Sequence, residues 1–212
     1  YHAAETVDSL AGFAEAVSTA HAALALPSGP IAIVFANDDS GHLSFEAPPT
    51  SAADLERMVA RRVEADKSFS EPAAWTYRAI ADERAQTGRT VLLHLAPKRL
   101  VDAMIRICEE HFLQVRSIVP LAELVARMAQ PACTTPQDVV LATVVLRERA
   151  MLCVVRADPC VVFARTVVIG EHDSPDERVL LETNRTALFA KQKIGKSIDA
   201  TCIFALDGEM PA

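Results

Sequence analysis

The sequence has 212 residues, half of them hydrophobic and about a quarter charged, a composition that supports one large globular domain or two lobes and excludes a disordered chain. Net charge is −7, and Lys and Arg are interspersed with acids, so the basic stripe that nucleic acid requires is missing. No stretch approaches the ~20 consecutive apolar residues of a membrane span, and the first residues lack the basic-then-apolar pattern of a signal peptide. The chain opens at Tyr1 and not at a methionine, so it is expected to be a piece of a longer protein. Its five cysteines (Cys108, Cys133, Cys153, Cys160 and Cys202) contain no CxxC pair, and several sit in apolar runs such as Met151–Val155. That pattern predicts reduced, buried thiols in a cytosolic setting and neither a disulfide frame nor a metal site.

Helical spacing of Val7, Leu10, Ala14, Val17 and Leu24 predicts a first amphipathic helix over residues 6–26, capped by Thr6 and stopped at Pro27–Pro30. Ile31–Phe35 reads as a buried strand, Asn37–Gly41 as a turn, and Leu43, Phe45 and Ala47 as an alternating strand, so the unit is expected to be a hairpin. Ser51 and Asp54 make a capping-box-like start for a helix with Leu55, Met58, Val59 and Val63 on one face and Arg57, Arg61, Arg62 and Glu64 on the other. Strands follow at 76–80 and 89–96. Pro97 opens a helix whose expected core stripe is Leu100, Val101, Met104, Ile105, Cys108 and Phe112. A short strand at 115–119 then leads through Pro120 to a helix ending near Met128, and Gln130–Gln137 reads as a linker.

The second half has a different rhythm. Val139–Leu146, Met151–Arg156 and Val161–Ile169 are β-branched or apolar runs with short separations, which predicts an antiparallel meander. Ser174–Glu177 combines an N-cap serine, a proline at the first helical position and a glutamate at the third. The helix it starts should reach Ile194, stop at Gly195 and feed a last strand at 200–206.

Several polar residues invite a functional reading. His94 lies in an apolar strand with no Ser, Cys or carboxylate placed beside it by sequence, which favours a satisfied core or edge histidine. Glu109, Glu110 and His111 point in different directions from one helix and read as a solvated helix end. Glu171–Asp173 is either a cleft-facing acidic loop or, the preferred reading, a polar turn before the Ser174 cap. Cys153 and Cys160 could pair across a hairpin, although free thiols fit a reducing cell better. Gly195–Ser197 lacks the upstream glycine of a phosphate loop and follows a helix instead of preceding one. Arg57, Arg61 and Arg62 form a basic face suited to an acidic partner or lipid, or simply to solvent. The segment Asp66–Pro72 carries no assignment.

Strand, strand, strand, helix, strand over residues 139–206 is the opening of a ribonuclease-H-like lobe. The chain as a whole resembles the actin-like family that includes the pilus-assembly protein PilM and its secretion-system relatives of the GspL type. Carrying the resemblance are Pro30–Pro49, Ala53–Asp66, Val91–Val101, Phe163–Gly170, and Glu182–Arg185 with Gln192. The resemblance implies an α/β, actin-like ATPase architecture with mixed sheets and flanking helices, divided into a first lobe at residues 1–130 and a second, ribonuclease-H-like lobe at 137–212.

It also implies a nucleotide site whose residues are not there. In the actin-like fold a strand-turn-strand offers the phosphates an Asp, a Gly and a Thr, and here these fall at Val144, Leu146 and Ala150. Valine cannot ligate Mg²⁺, and leucine and alanine supply neither an open backbone nor a hydroxyl. The adenosine-side glycine pair falls at Asp207–Gly208, where a carboxylate replaces one glycine and tends to repel an anionic ligand. The first phosphate hairpin would lie upstream of Tyr1. What the resemblance therefore implies is a non-catalytic scaffold without cofactor or metal. Its place would be the cytoplasmic side of the inner membrane, held there by the membrane assembly proteins of a pilus or type II secretion-like machine. It would have no nucleic-acid partner and no span of its own, and a homodimer would be one permitted state. The alternative is an ATP-binding actin-like ATPase or sugar-kinase-type enzyme whose phosphate motif lies outside the chain.

Overall fold

A computed structural model describes residues 9–24, 30–36, 40–66, 71–81, 88–146, 149–157, 160–169 and 175–205. Its contacts divide the chain into two units, one spanning Val7–Val119 and the other holding Pro120–Ala212.

In the first unit, helix α1 (Leu10–Leu24) is capped by Ser9, whose hydroxyl accepts from the Gly12 amide; the expected cap Thr6 lies outside the described residues. Phe13 and Val17 of α1 pack with Ile33 of β1 (Pro30–Phe35), with Met104 and Cys108 of α3 (Lys98–Glu110), and with Leu113 before β5 (Gln114–Pro120). Strand β2 (Gly41–Ala47) does not fold back on β1 as the hairpin reading expected, because β1 pairs with β5 instead. β2 runs antiparallel to β4 (Arg89–Pro97), from Gly41 opposite Leu95 to Ala47 opposite Arg89, and β3 (Ala73–Ala81) covers the other edge of β4. The reason is burial: seven consecutive residues of β4, from Val91, are buried, and such a strand needs a hydrogen-bonded neighbour on each side. Leu43, Phe45 and Ala47 then share a face with Val91, Leu93 and Leu95 and pack on Leu55 and Val59 of α2 (Ala52–Ala65). The cap of α2 forms as expected, with the Asp54 amide donating to the Ser51 hydroxyl at 3.1 Å.

Helix α3 ends in a Schellman turn. The Leu113 amide donates to the Cys108 carbonyl and the Phe112 amide to the Glu109 carbonyl, while Leu113 and Cys108 meet in the core. Phe112 sits at the left-handed position with φ 59°, where glycine is the natural occupant. Its ring is 81% exposed, so it leaves the core stripe in which the helical periodicity had placed it.

The second unit begins one helix earlier than the sequence division at 130. Leu121, Ala122, Val125, Ala126 and Ala129 of α4 (Leu121–Ala129) are buried against Val140, Ala142 and Val144 of β6 (Val139–Leu146) and Met151, Cys153 and Val155 of β7 (Arg149–Arg156). Three alanines on the contacting face let the helix approach the sheet closely. The residues of the expected linker contain a short 3-10 turn (Gln130–Ala132). Beyond it Asp138 accepts hydrogen bonds from the amides of Thr134 and Thr135 and from both hydroxyls. The meander forms as predicted: β6 pairs with β7 and β7 with β8 (Cys160–Val168), all antiparallel. Helix α5 (Pro175–Ile194) crosses over to β9 (Ala200–Ala205), which lies parallel to β6, giving the order β8-β7-β6-β9. Asp199 sets that register, its amide donating to the Val139 carbonyl and its carboxylate accepting from the Val139 amide, both at 2.8 Å. Gly195, at φ 67°, terminates α5.

Replacing Phe112 with glycine relieves the left-handed backbone at little cost in packing, so Phe112→Gly is expected to raise stability by roughly 0.5–1 kcal/mol. The check is urea denaturation, read as a higher midpoint at unchanged slope.

Candidate functional site

The β6–β7 hairpin is where the resemblance puts a phosphate-binding turn, and it is packed on both faces. Along β6, Val140, Ala142 and Val144 point to the α4 side, and Val139 and Leu141 to the α5 side. Along β7 the same alternation places Met151, Cys153 and Val155 on the first side and Ala150, Leu152 and Val154 on the second. Val144 is 1% exposed and Ala150 fully buried. Val144 lies opposite Met151, Val145 opposite Ala150, and Leu146 opposite Arg149. Thus Val144 and Ala150 belong to opposite faces, and Leu146 packs as a partly buried residue beside the α4-side core. An Mg²⁺–triphosphate needs carboxylate or hydroxyl oxygens and open amides; these three side chains supply only methyl and methylene groups, so the residues present do not fit the group. Asp207 and Gly208 lie outside the described residues.

One polar group in this hairpin escaped the sequence reading. Thr143 is fully buried and its hydroxyl has no hydrogen-bond partner among the described residues. Its position one residue before Val144 gave no signal, since threonine is an ordinary strand residue.

A second polar element joins β8 to α5. The Glu182 side chain is 4% exposed and forms ion pairs with Arg165 at 2.7 Å, Arg185 at 2.8 Å and Arg178 at 3.7 Å. Arg165 also donates to the Glu182 carbonyl and to the Thr186 hydroxyl, which itself donates to that carbonyl at 2.7 Å. Burial alone would raise the Glu182 pKa; the hydrogen bond from Arg185 and the charges of Arg165, Arg185 and Arg178 outweigh it and hold the carboxyl below its ordinary value. The Phe163 and Phe189 rings, 4.7 Å apart, pack the same two elements together. The sequence pointed to Glu182–Arg185 through resemblance only; no spacing rule links Arg165 to them before the fold is known.

Other candidate residues resolve as follows. His94 is buried and pairs across β2–β4 with His42, their Nδ1 atoms 2.8 Å apart, so one imidazole donates to the other. Cys153 is a buried free thiol opposite Ala164, while Cys160 lies opposite Arg156, so the register does not bring them face to face. Burial pushes the Cys153 thiol up to about 12, which leaves it inert at neutral pH. Arg57 pairs with Asp54, and Arg62 lies over the Phe45 ring. Glu71 and Pro72, from the segment left unassigned, line an open cavity of about 480 Å³ with Lys98, Arg99, Asp102, Ala103 and Arg106. Glu171–Asp173 and the Ser174 cap lie outside the described residues. Among the described residues no three His, Cys, Asp or Glu side chains could share a metal ion, and no helix is long and apolar enough to cross a membrane.

No family model and no curated protein matches the sequence. Solved structures do. The PilM–PilN type IV pilus biogenesis complex matches with a TM-score of 0.71 at 15% identity, over 95% of this chain and 69% of that one. The fold is the actin-like fold. The cytoplasmic domain of EpsL, an inner membrane component of the type II secretion system of Vibrio cholerae, matches with a TM-score of 0.58 at 14% identity, over all of this chain and 72% of that one.

Two measurements test this packing. Thr143→Val removes a buried, unpaired hydroxyl at nearly constant shape and is expected to stabilise by about 1 kcal/mol in chemical denaturation. Glu182→Gln leaves Arg165 facing a neutral amide in a buried site and is expected to cost roughly 2–4 kcal/mol. Because the folded pKa of Glu182 is lowered, its contribution is present above the unfolded value and lost as pH falls through the folded one. Denaturation between pH 7 and pH 2 should therefore show a shallower acid decline in Glu182→Gln than in the parent.

Proposed function

We propose that this chain is a catalytically silent actin-like scaffold of a bacterial pilus or type II secretion-like machine. On this reading it works on the cytoplasmic side of the inner membrane by docking other assembly proteins. The observation that carries the reading is the β6–β7 hairpin, where Val144 and Ala150 are locked into the apolar layers on opposite faces of the sheet. A site that holds a triphosphate must present polar groups to solvent; Val144 and Ala150 are committed to the core instead. The place in an envelope machine is supported by the two structural neighbours, one solved as a complex with PilN and the other an inner membrane component.

The docking role follows from what remains when nucleotide chemistry is removed. A two-unit α/β scaffold retains rigid helix faces and sheet edges, which are the surfaces on which partner helices and strands are recognised. Affinity at such a surface comes from a few buried apolar anchors.

Titration calorimetry with ATP and Mg²⁺ is expected to show no saturable heat up to millimolar nucleotide. Saturable, Mg²⁺-dependent binding that is lost on removing the metal would sink the reading and favour the ATPase alternative. Placing the missing carboxylate by Val144→Asp is expected to destabilise the fold by about 3–5 kcal/mol, since the new charge has no partner in the core, and to confer no nucleotide binding.

A further inference from the structure

The first unit holds an imidazole pair that the scaffold reading does not use. His42 on β2 and His94 on β4 are register partners, so their side chains leave the same face of the sheet, the one turned away from α2. Their Nδ1 atoms face each other at 2.8 Å, with the ring centroids 5.0 Å apart. His94 is buried, but His42 is only half-buried, and Ser44 and Thr76 on the same face are exposed. Solvent and small ions therefore reach the pair. Two nitrogens that converge on one accessible point are a chelating pair as well as a hydrogen bond.

Coordination geometry sets what fits between them. Metal–imidazole bonds of about 2.0 Å place two cis nitrogens about 2.8 Å apart on a square-planar ion and about 3.3 Å apart on a tetrahedral one. The spacing in the pair matches the first, and an opening of about 0.5 Å reaches the second. The rings meet head-on in the hydrogen bond, so each must tilt to aim its lone pair at a shared ion. No proton is lost in the exchange: the imidazole that carries its hydrogen on Nδ1 shifts it to Nε2, and both Nδ1 lone pairs turn to the metal. Ser40 adds an oxygen. It lies two residues ahead of His42, the spacing that strand alternation keeps on one side, and its hydroxyl is buried with no hydrogen-bond partner among the described residues. The charged residues that the three strands place on this face are Arg78, opposite Leu92, and Glu46, opposite Thr90. They cancel, so the imidazoles and not the local charge select the ligand. Imidazole nitrogen favours late first-row cations such as Ni²⁺, Cu²⁺ and Zn²⁺ over Mg²⁺ and Ca²⁺, which take oxygen.

We infer that His42 and His94 form a two-imidazole site for a late first-row divalent cation, bound through both Nδ1 atoms, with water and the Ser40 hydroxyl available for the remaining positions. The bound ion clamps β2 to β4, so its binding free energy adds to the stability of the first unit. Such a site is compatible with the scaffold reading and with the ATPase alternative.

The test takes the full chain, stripped with a chelator, and titrates it with Ni²⁺, Zn²⁺ and Mg²⁺ by calorimetry and thermal melting. Ni²⁺ and Zn²⁺ are each expected to saturate one site and to raise the melting temperature, while Mg²⁺ does neither. Zn²⁺ is expected to shift the imidazole NMR signals of both His42 and His94. His42→Gln keeps a hydrogen-bonding side chain beside His94 and removes one ligand; it is expected to weaken binding at least about tenfold and to abolish the metal-dependent rise in melting temperature. His111→Gln, which breaks up a second histidine pair, with His21 at 5.9 Å between ring centroids, is expected to leave both unchanged. The proposal is overturned by no saturable binding in the parent, by binding that survives His42→Gln, by binding lost in His111→Gln, or by a Zn²⁺ shift confined to one of the two imidazoles. Should His42→Gln fail to fold by circular dichroism, the NMR shifts in the parent decide alone.

Discussion

The constraint on which the second unit depends is that its two central strands are buried on both faces. β6 and β7 carry aliphatic side chains to the α4 side and the α5 side in strict alternation, and each face is closed by a helix. Burying a Val, Leu or Met side chain is worth about 1.5–3 kcal/mol, so the eight such residues buried in these strands dominate what holds the unit together. Covering both faces also fixes the register, because a one-residue slip would exchange the entire sets of side chains between layers that differ in shape. The same covering explains why Val144 and Ala150 offer nothing to a nucleotide: both are already packing positions, on opposite faces of the sheet.

The first unit solves a similar problem differently. β4 is buried along nearly its whole length, but only its Val91, Leu93 and Leu95 face enters the apolar layer under α2. On the alternate face His94 meets His42 across the strands. Two imidazoles hydrogen-bonded to each other let one buried polar side chain be satisfied without a charge. The polar pair is thus a way of covering a strand whose sequence reads as uniformly apolar.

Much of this was legible in the sequence, and the failures have identifiable causes. The meander, the crossover helix and the final strand were readable because long β-branched runs and a Ser-Pro-x-Glu helix start are local signals. Ser51 capping α2 was readable for the same reason. The hairpin of β1 and β2 was misread because strand partners are chosen by distant residues: a short turn between two apolar runs is necessary for a hairpin but does not prevent β4 from claiming β2. Phe112 was misread because helical periodicity cannot see that the chain has already left the helix. α4 was placed with the wrong half since nothing in Leu121–Ala129 says which sheet its alanine face will meet. At the candidate site, the absence of polar residues at Val144, Leu146 and Ala150 could be read directly, whereas the Arg165–Glu182 contact joins residues on separate elements and waits for the fold.

Strand β8 lies at the end of the sheet order, with β7 on one side and no further strand among the described residues on the other. Such an edge invites uncontrolled strand addition from neighbouring molecules. The guanidinium of Arg165, in the middle of β8, is drawn back under α5 by Glu182 and Thr186. A polymer built by stacking copies along that edge would have to pack against an anchored charge in every layer. The ion cluster that pins the crossover helix therefore also places an inward-held charge on the edge strand, a feature that disfavours strand addition.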